Sequence, residues 1–301
     1  MKKIICLMSA AALILLLLSS CGIKSSDSSD PPMPDAVSSA DEITALTCSD
    51  GAVTMRFERD EAGAWHWLDD TGFPLDDAPL LSAIEALPDM KGRSIAEDAL
   101  EDYGLAAPKS YLTVTAGEKS VTYYIGSTLK DGERYLNAQE DVTTIYPLPE
   151  AVSLLMSLSI YDLARLPQLP ELSADNMQDV TIARGDSVLS LTISDGRWLC
   201  DGRDVTDDAA PLADALSQLT FSRCVDYAPS NGAAVICGLN APAAAVTVHY
   251  TNHVGSISEL TLAIGKSYQD GYFSAMGDDT TIYQLSDELA APILALAENG
   301  I

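Results

Sequence analysis

The feature that most restricts how this chain can fold is an internal repeat. Gly63-Ala64-Trp65 is followed by Pro74-Leu75-Asp76-Asp77-Ala78-Pro79-Leu80-Leu81, and Gly196-Arg197-Trp198 by Val205-Thr206-Asp207-Asp208-Ala209-Ala210-Pro211-Leu212. The copies stay in step through Tyr103-Gly104-Leu105-Ala106-Ala107-Pro108 and Cys237-Gly238-Leu239-Asn240-Ala241-Pro242, then Ile125-Gly126 and Ile264-Gly265. Tyr135-Leu136-Asn137-Ala138 and Thr144-Ile145-Tyr146 match Tyr272-Phe273-Ser274-Ala275 and Thr281-Ile282-Tyr283. Repetition on this scale means one supersecondary plan used twice, with spacing changes absorbed in loops.

Each copy reads as α+β. Ala52 to Glu58 and Val188 to Ile193 alternate apolar and polar residues with period two, predicting half-buried strands, each followed by a strand that holds a tryptophan. Asp76 and Asp77, or Asp207 and Asp208, stand at the expected N-cap of a helix whose apolar residues, such as Leu80, Leu81, Ile84 and Leu87, recur at helical spacing. Strands are predicted over 111–115, 120–125, 134–138 and 143–147, with counterparts over 245–250, 259–264, 271–275 and 280–284. A short helix closes each copy, over 150–158 and 287–297. The expected fold is α+β with two homologous repeats, each a mostly antiparallel sheet with one main helix packed across it. The expected organisation is a signal peptide at 1–20, a lipidated flexible tether at 21–41, a first repeat at 42–161, a linker at 162–174 and a second repeat at 175–301.

The order of strand, tryptophan strand, D-D before a helix, Y-G-L-x-x-P, a V-T-V strand, a strand ending in I-G, Y-x-x-A and a terminal T-I-Y resembles the domain-of-unknown-function 4340 family of bacterial exported lipoproteins. The resemblance covers nearly all of 42–301, once per half, and departs from the pattern where Cys237 replaces the tyrosine. It implies an extracytoplasmic α+β protein without a settled activity, associated in some members with ABC transporters of the gliding-motility type. It carries over no catalytic residue.

The N-terminus agrees with export. Lys2 and Lys3 precede an apolar run from Ile4 to Leu18, shorter than the roughly 20 residues of a membrane-spanning helix. The run ends in Leu18-Ser19-Ser20-Cys21, which resembles the bacterial lipobox, with Cys21 as the lipid-attachment residue and first residue of the mature chain. The alternatives are an ordinary secretory signal or an uncleaved anchor. Residues 22–41 are rich in Ser, Asp and Pro and cannot bury a core, so they read as a tether with a mean span of about 25 Å. The chain carries 44 acidic against 17 basic residues, a net charge of −27. It therefore repels phosphate backbones and anionic head groups, which disfavours nucleic acid and leaves membrane attachment to the lipid on Cys21. No D-x-D-x-D-G loop for calcium is present.

Candidate chemistry is sparse. Past Cys21 lie Cys48, Cys200, Cys224 and Cys237, which admit three full pairings. A Cys224–Cys237 disulfide would close a short loop worth about 3 kcal/mol, and free buried thiols are the competing reading. His66 lies between two tryptophans, whereas His249 and His253 fall on a strand and turn, where a four-residue spacing does not align them for a metal. Trp65, Trp67 and Trp198 read as sheet residues facing a core, and Gly104 and Gly238 as positions requiring a positive φ. No nucleophile, phosphate-loop or zinc-protease motif occurs. The sequence thus predicts a non-enzyme without a cofactor, a surface-tethered binding or scaffold module with a membrane or envelope protein partner, accessory to a transporter. The alternatives are a small-molecule or cation binder using the inter-repeat cleft and an envelope hydrolase.

Overall fold

The structure, a computed structural model, describes residues 38–301. The first half contains strands β1 (Ile43–Ser49), β2 (Thr54–Arg59), β3 (Trp65–Trp67), β4 (Arg93–Ser94), β5 (Ser110–Ala116), β6 (Lys119–Ile125), β7 (Tyr135–Ala138) and β8 (Asp141–Pro147). Helix α1 (Ala78–Ala86) lies between β3 and β4, and α2 (Glu150–Ser157) follows β8. The second half contains β9 (Met177–Arg184), β10 (Ser187–Ser194), β11 (Arg197–Cys200), β12 (Arg203–Asp204), α3 (Thr206–Ser217), β13 (Arg223–Asp226) and α4 (Ala233–Ile236). It ends with β14 (Ala244–Thr251), β15 (Ile257–Tyr268), β16 (Gly271–Met276), β17 (Ile282–Ser286) and α5 (Asp287–Asn299).

The strands form two sheets, of order β3-β2-β1-β5-β6-β7-β8-β4 and β12-β11-β10-β9-β14-β15-β16-β17-β13. Apart from the added edge strand β12, the orders correspond strand for strand. Adjacent strands within both sheets pair antiparallel, so the molecule is mixed, mostly antiparallel and two-sheeted, with a few helices. The central strands β1 and β9 lie outside the strands read from the sequence. In β1 the register breaks between Ile43 and Ala45, which interrupts the period-two pattern.

One face of each sheet is apolar and covered by helices. In the first, Leu46, Phe57, Leu112, Val114 and Tyr123 share one core with Leu80 and Ile84 of α1, Leu87 at its C-cap, and Val152 and Leu155 of α2. Each fully buried aliphatic side chain contributes about 1.5–3 kcal/mol. The main helix is not alone: α1 packs on α2, and α3 on α5, so two helices cover each sheet. In the first half Asp77 takes the N-cap position of α1 without a side-chain capping bond, and Asp76 Oδ1 accepts from Ala78 N at 3.2 Å instead. In the second, α3 begins at Thr206, and Asp207 and Asp208 occupy its first turn. There the Thr206 hydroxyl accepts from Trp198 N at 3.0 Å and donates to Asp204 Oδ1 at 2.7 Å, tying the tryptophan strand to the helix start.

The segment read as a linker is packed. Asp76 N donates to Leu163 O at 2.7 Å, Leu75 and Ala164 form a bridge, and Leu172 is buried in the main core.

The most sharply repeated motifs meet in space. Gly104 and Gly238 adopt φ of +70° and +75°, turning the chain so that Gly104 O accepts from Ser127 N at 3.2 Å and Cys237 O from Lys266 N at 2.8 Å. The I-G glycines lie directly beneath these turns: a Cβ on Gly126 would stand 2.5 Å from Tyr103 O, and one on Gly265 2.2 Å from Cys237 O. Replacing Gly265 by Ala therefore forces backbone apart at a fixed hydrogen bond. We expect Gly265→Ala to destabilise the protein by about 1–3 kcal/mol, read as a lowered Tm in calorimetry, whereas Gly185→Ala in an open turn gives a smaller loss.

Candidate functional site

The two halves meet through a cluster of aromatic rings. Phe73, from the loop before α1, stands edge-on to Trp67 at 5.4 Å and to Tyr227 at 5.1 Å, and stacks on Tyr161 at 6.4 Å. The Tyr227 hydroxyl donates to Gly72 O at 2.9 Å and the Tyr161 hydroxyl to Asp226 Oδ1 at 3.4 Å, so hydrogen bonds cross in both directions. Burial, with the Asp226 carboxylate nearby, pushes the Tyr161 phenol above its usual range. These side chains pack against one another at the junction, the place where the alternative ligand-binding reading puts an inter-repeat cleft.

The face of the second sheet turned away from α3 and α5 is polar. Its rows run across the strands: Ser190, Thr181, Thr247 and Thr261 are successive partners, and so are Thr192, Asp179, His249 and Glu259. His249 is held between two carboxylates, Nδ1 at 2.8 Å from Asp179 Oδ1 and Nε2 at 3.1 Å from Glu259 Oε2. The Asp179 hydrogen bond and charge, then those of Glu259, raise the imidazole pKa above 6.5. Because the carboxylates lie at opposite ring nitrogens, they hold a charge ladder and not a converging ligand set. Among the described residues no group of three His, Cys, Asp or Glu side chains could hold a metal ion.

Beside this ladder lies a groove of about 600 Å³. Ala245, Thr247, Thr261, Ala263 and Ala275 form its floor, and the stretch from Pro229 to Gly232 forms a wall. Asp279 stands at its rim, Oδ1 accepting from Thr281 N at 2.9 Å and Oδ2 from the Tyr283 hydroxyl at 2.8 Å. Burial opposes ionisation there, but these donors outweigh it and hold the Asp279 carboxyl below the usual carboxylate range.

The cysteines separate. Cys224 faces the main core from β13, while its neighbour Val225 faces a small cluster on the opposite side of the sheet, and Cys237 belongs to that second cluster with Ala233 and Ile282. The sheet thus stands between the two sulfurs proposed as a pair, and Cys48, Cys200, Cys224 and Cys237 are all free thiols. Burial pushes Cys48 up to about 12 and Cys224 up to about 11, so neither is a reactive thiolate. Trp65 and Trp198 are buried in the core as expected, and Trp67 serves the junction. His66 bonds Asp60 Oδ2 at 2.9 Å. Cys21 and the lipobox lie outside the described residues, as does most of the tether.

Sequence reasoning missed Phe73, Tyr161 and Tyr227, which fall outside the repeated motifs, and the groove. A signal for the groove exists where the copies differ. With Leu112-Thr113-Val114 aligned on Val246-Thr247-Val248, and I-G on I-G, Ala245 and Ala263 stand where Tyr111 and Tyr124 do.

The fold is thus a two-sheet, mostly antiparallel α+β architecture with a polar sheet face. Residues 65–211 match a known family, the Domain of unknown function (DUF4340), so the chain contains a DUF4340 domain there. The matched block runs as one segment from Trp65 on β3, through the junction, to Pro211 within α3, and not once per half. Searches of curated proteins and of solved structures return no match. No helix among the described residues is long and apolar enough to cross a membrane.

Two outcomes are expected. Thiol labelling of the denatured protein without reductant modifies Cys48, Cys200, Cys224 and Cys237, and protection of Cys224 and Cys237 together would show a bridge. His249, whose folded pKa is raised, contributes stability that is complete below about pH 6.5 and is lost as pH rises through the folded value. Urea denaturation should therefore find His249→Gln less stable than the native protein at about pH 6, with the difference shrinking by about pH 8.5.

Proposed function

We propose that this protein is a lipid-anchored, extracytoplasmic binding or scaffold module. Diacylglycerol on Cys21 attaches it to the cell membrane, and residues 22–41 hold the folded part off the surface. The halves are two copies of one domain, and together they present their sheet faces to a membrane or envelope protein, as an accessory to a transporter of the ABC class.

The observation that carries this reading is the aromatic junction. Phe73, Trp67, Tyr161 and Tyr227 pack the halves against each other, which supports a scaffold that offers its sheet faces in a constant relation. A hinged ligand-binding protein needs the opposite, an open space at that place. The duplication is supported by the corresponding strand orders and by the glycine contact made twice with the same motif residues. Export is supported by the leader and lipobox sequence, and the net charge of −27 makes a covalent lipid the physically sufficient attachment to an anionic surface.

Cys21→Ala is expected to move the protein out of the membrane fraction or leave it unprocessed, and unchanged fractionation refutes the anchor. Crosslinking in intact membranes followed by mass spectrometry is expected to recover one recurrent membrane or envelope protein. Repeated recovery of none refutes the scaffold role.

A further inference from the structure

We propose that Asn231, on the exposed wall of the groove, is a self-modification site: its side chain closes on the main-chain nitrogen of Gly232 and reopens as isoaspartate, which loosens α4 from the sheet. The site belongs to the second half alone and is independent of the scaffold reading.

The chain contains six asparagines, and two of them, Asn231 and Asn299, precede a glycine. A glycine there has no Cβ, so its nitrogen can approach the preceding side chain closely. The structure separates the two pairs. Asn231 and Gly232 are exposed, in a turn that Ala233 N closes by donating to Ser230 O at 3.0 Å. Among the described residues neither the Asn231 side chain nor Gly232 N makes a hydrogen bond, and a Cβ built on Gly232 would meet nothing within 4 Å. The two reacting groups are therefore free to meet once the turn flexes. Asn299 is the last residue of α5, where its Nδ2 donates to Ala295 O at 3.1 Å and Gly300 N donates to Leu296 O at 2.9 Å. Both groups are engaged there by separate helix carbonyls, so reaction at Asn299 first requires the last turn to unwind.

The reaction needs only water. Gly232 N gives its proton to hydroxide and attacks Asn231 Cγ, forming the N–Cγ bond of a cyclic imide. The Cγ–Nδ2 bond breaks, and the amide nitrogen takes a proton from water and leaves as ammonia. Water then adds to one imide carbonyl and reopens the ring. Opening at Cγ gives aspartate, whereas opening at the main-chain carbonyl leaves the chain running through Cβ and Cγ, with the former main-chain carbon as a free carboxylate. The second product lengthens the backbone by a methylene between Ser230 and Ala233, and the hydrogen bond from Ala233 N to Ser230 O spans that insertion. Val235 N and Ile236 N donate to Gly232 O at 3.0 and 3.1 Å, so the start of α4 is displaced with it. Ala233 is the buried residue of α4 and clusters with Cys237 and Ile282, so its shift withdraws the helix from its seat on the sheet.

The test is incubation of the folded, full-length protein in mildly alkaline buffer, followed by peptide mapping with mass spectrometry and by methyl transfer from an isoaspartate-specific carboxyl methyltransferase. Asn231 is expected to exchange its amide for a carboxyl, and to accept methyl label, several-fold faster than Asn299, with the two rates converging in denaturant. Asn231→Gln, whose longer side chain would have to close a larger ring, should remove the methyl acceptor. The isoaspartyl form, separated by ion exchange, is expected to unfold at a lower Tm than Asn231→Asp, which carries the new charge without the added methylene. Failure of Asn231 to convert in the folded protein, or conversion of Asn299 at the same rate there, overturns the site. Equal Tm values for the isoaspartyl form and Asn231→Asp overturn the loosening of α4. Membrane fractionation and crosslinking read the scaffold role separately, since neither requires a modified Asn231.

Discussion

The pairing of the first strand of each half with the strand that follows its Y-G-L or C-G-L turn holds each sheet together. β1 joins β2 on one side and β5 on the other, across more than sixty residues of chain, and β9 likewise joins β10 and β14. Without this contact the N-terminal hairpin and the later meander would be separate ribbons, each too small to bury a face. With it, one continuous apolar surface forms, and the two helices of each half have something to cover. The cost is a long-range closure that local propensity does not supply, offset by the core that closes with it.

The same pairing fixes which side chains face outward. Once β9 and β14 are in register, Thr181 lies beside Thr247 and Asp179 beside His249, and β15 extends the rows to Thr261 and Glu259. The charge ladder and the groove floor follow from one alternation of side chains along three strands. The aromatic junction adds the second constraint. Phe73 from one half and Tyr227 from the other bring the two sheets into one connected apolar cluster.

Much of the architecture was legible because the same motif residues recur along the chain. The glycines of Y-G-L and I-G stood out in both halves, and the structure gives the reason: they are the two sides of one close backbone contact. The hairpin strands and the helices α1, α2, α3 and α5 were read from periodicity within a few residues of their bounds. β1 was missed because its register break disturbs the alternation, and β9 because its spacing from Met177 to Val180 does the same. The short edge strands β4 and β13 carry too few residues for any period. The candidate pair Cys224 and Cys237, close in sequence, take opposite faces of a strand in the structure, and sequence separation does not record which face a residue takes.

The amino-acid sequence by itself determined that antiparallel strands mix with helices, that the motif residues recur along the chain, and that its net charge is −27, because these depend on local pattern and on totals. Tertiary structure decided how the frames join and what their outer faces offer. Phe73, Tyr161 and Tyr227 are far apart in the chain and meet only after both sheets have closed. Ala245 and Ala263 are unremarkable small residues until pairing of β14 with β15 sets them side by side beneath a wall. Both are products of long-range register, which a linear pattern specifies only through the whole core it must bury.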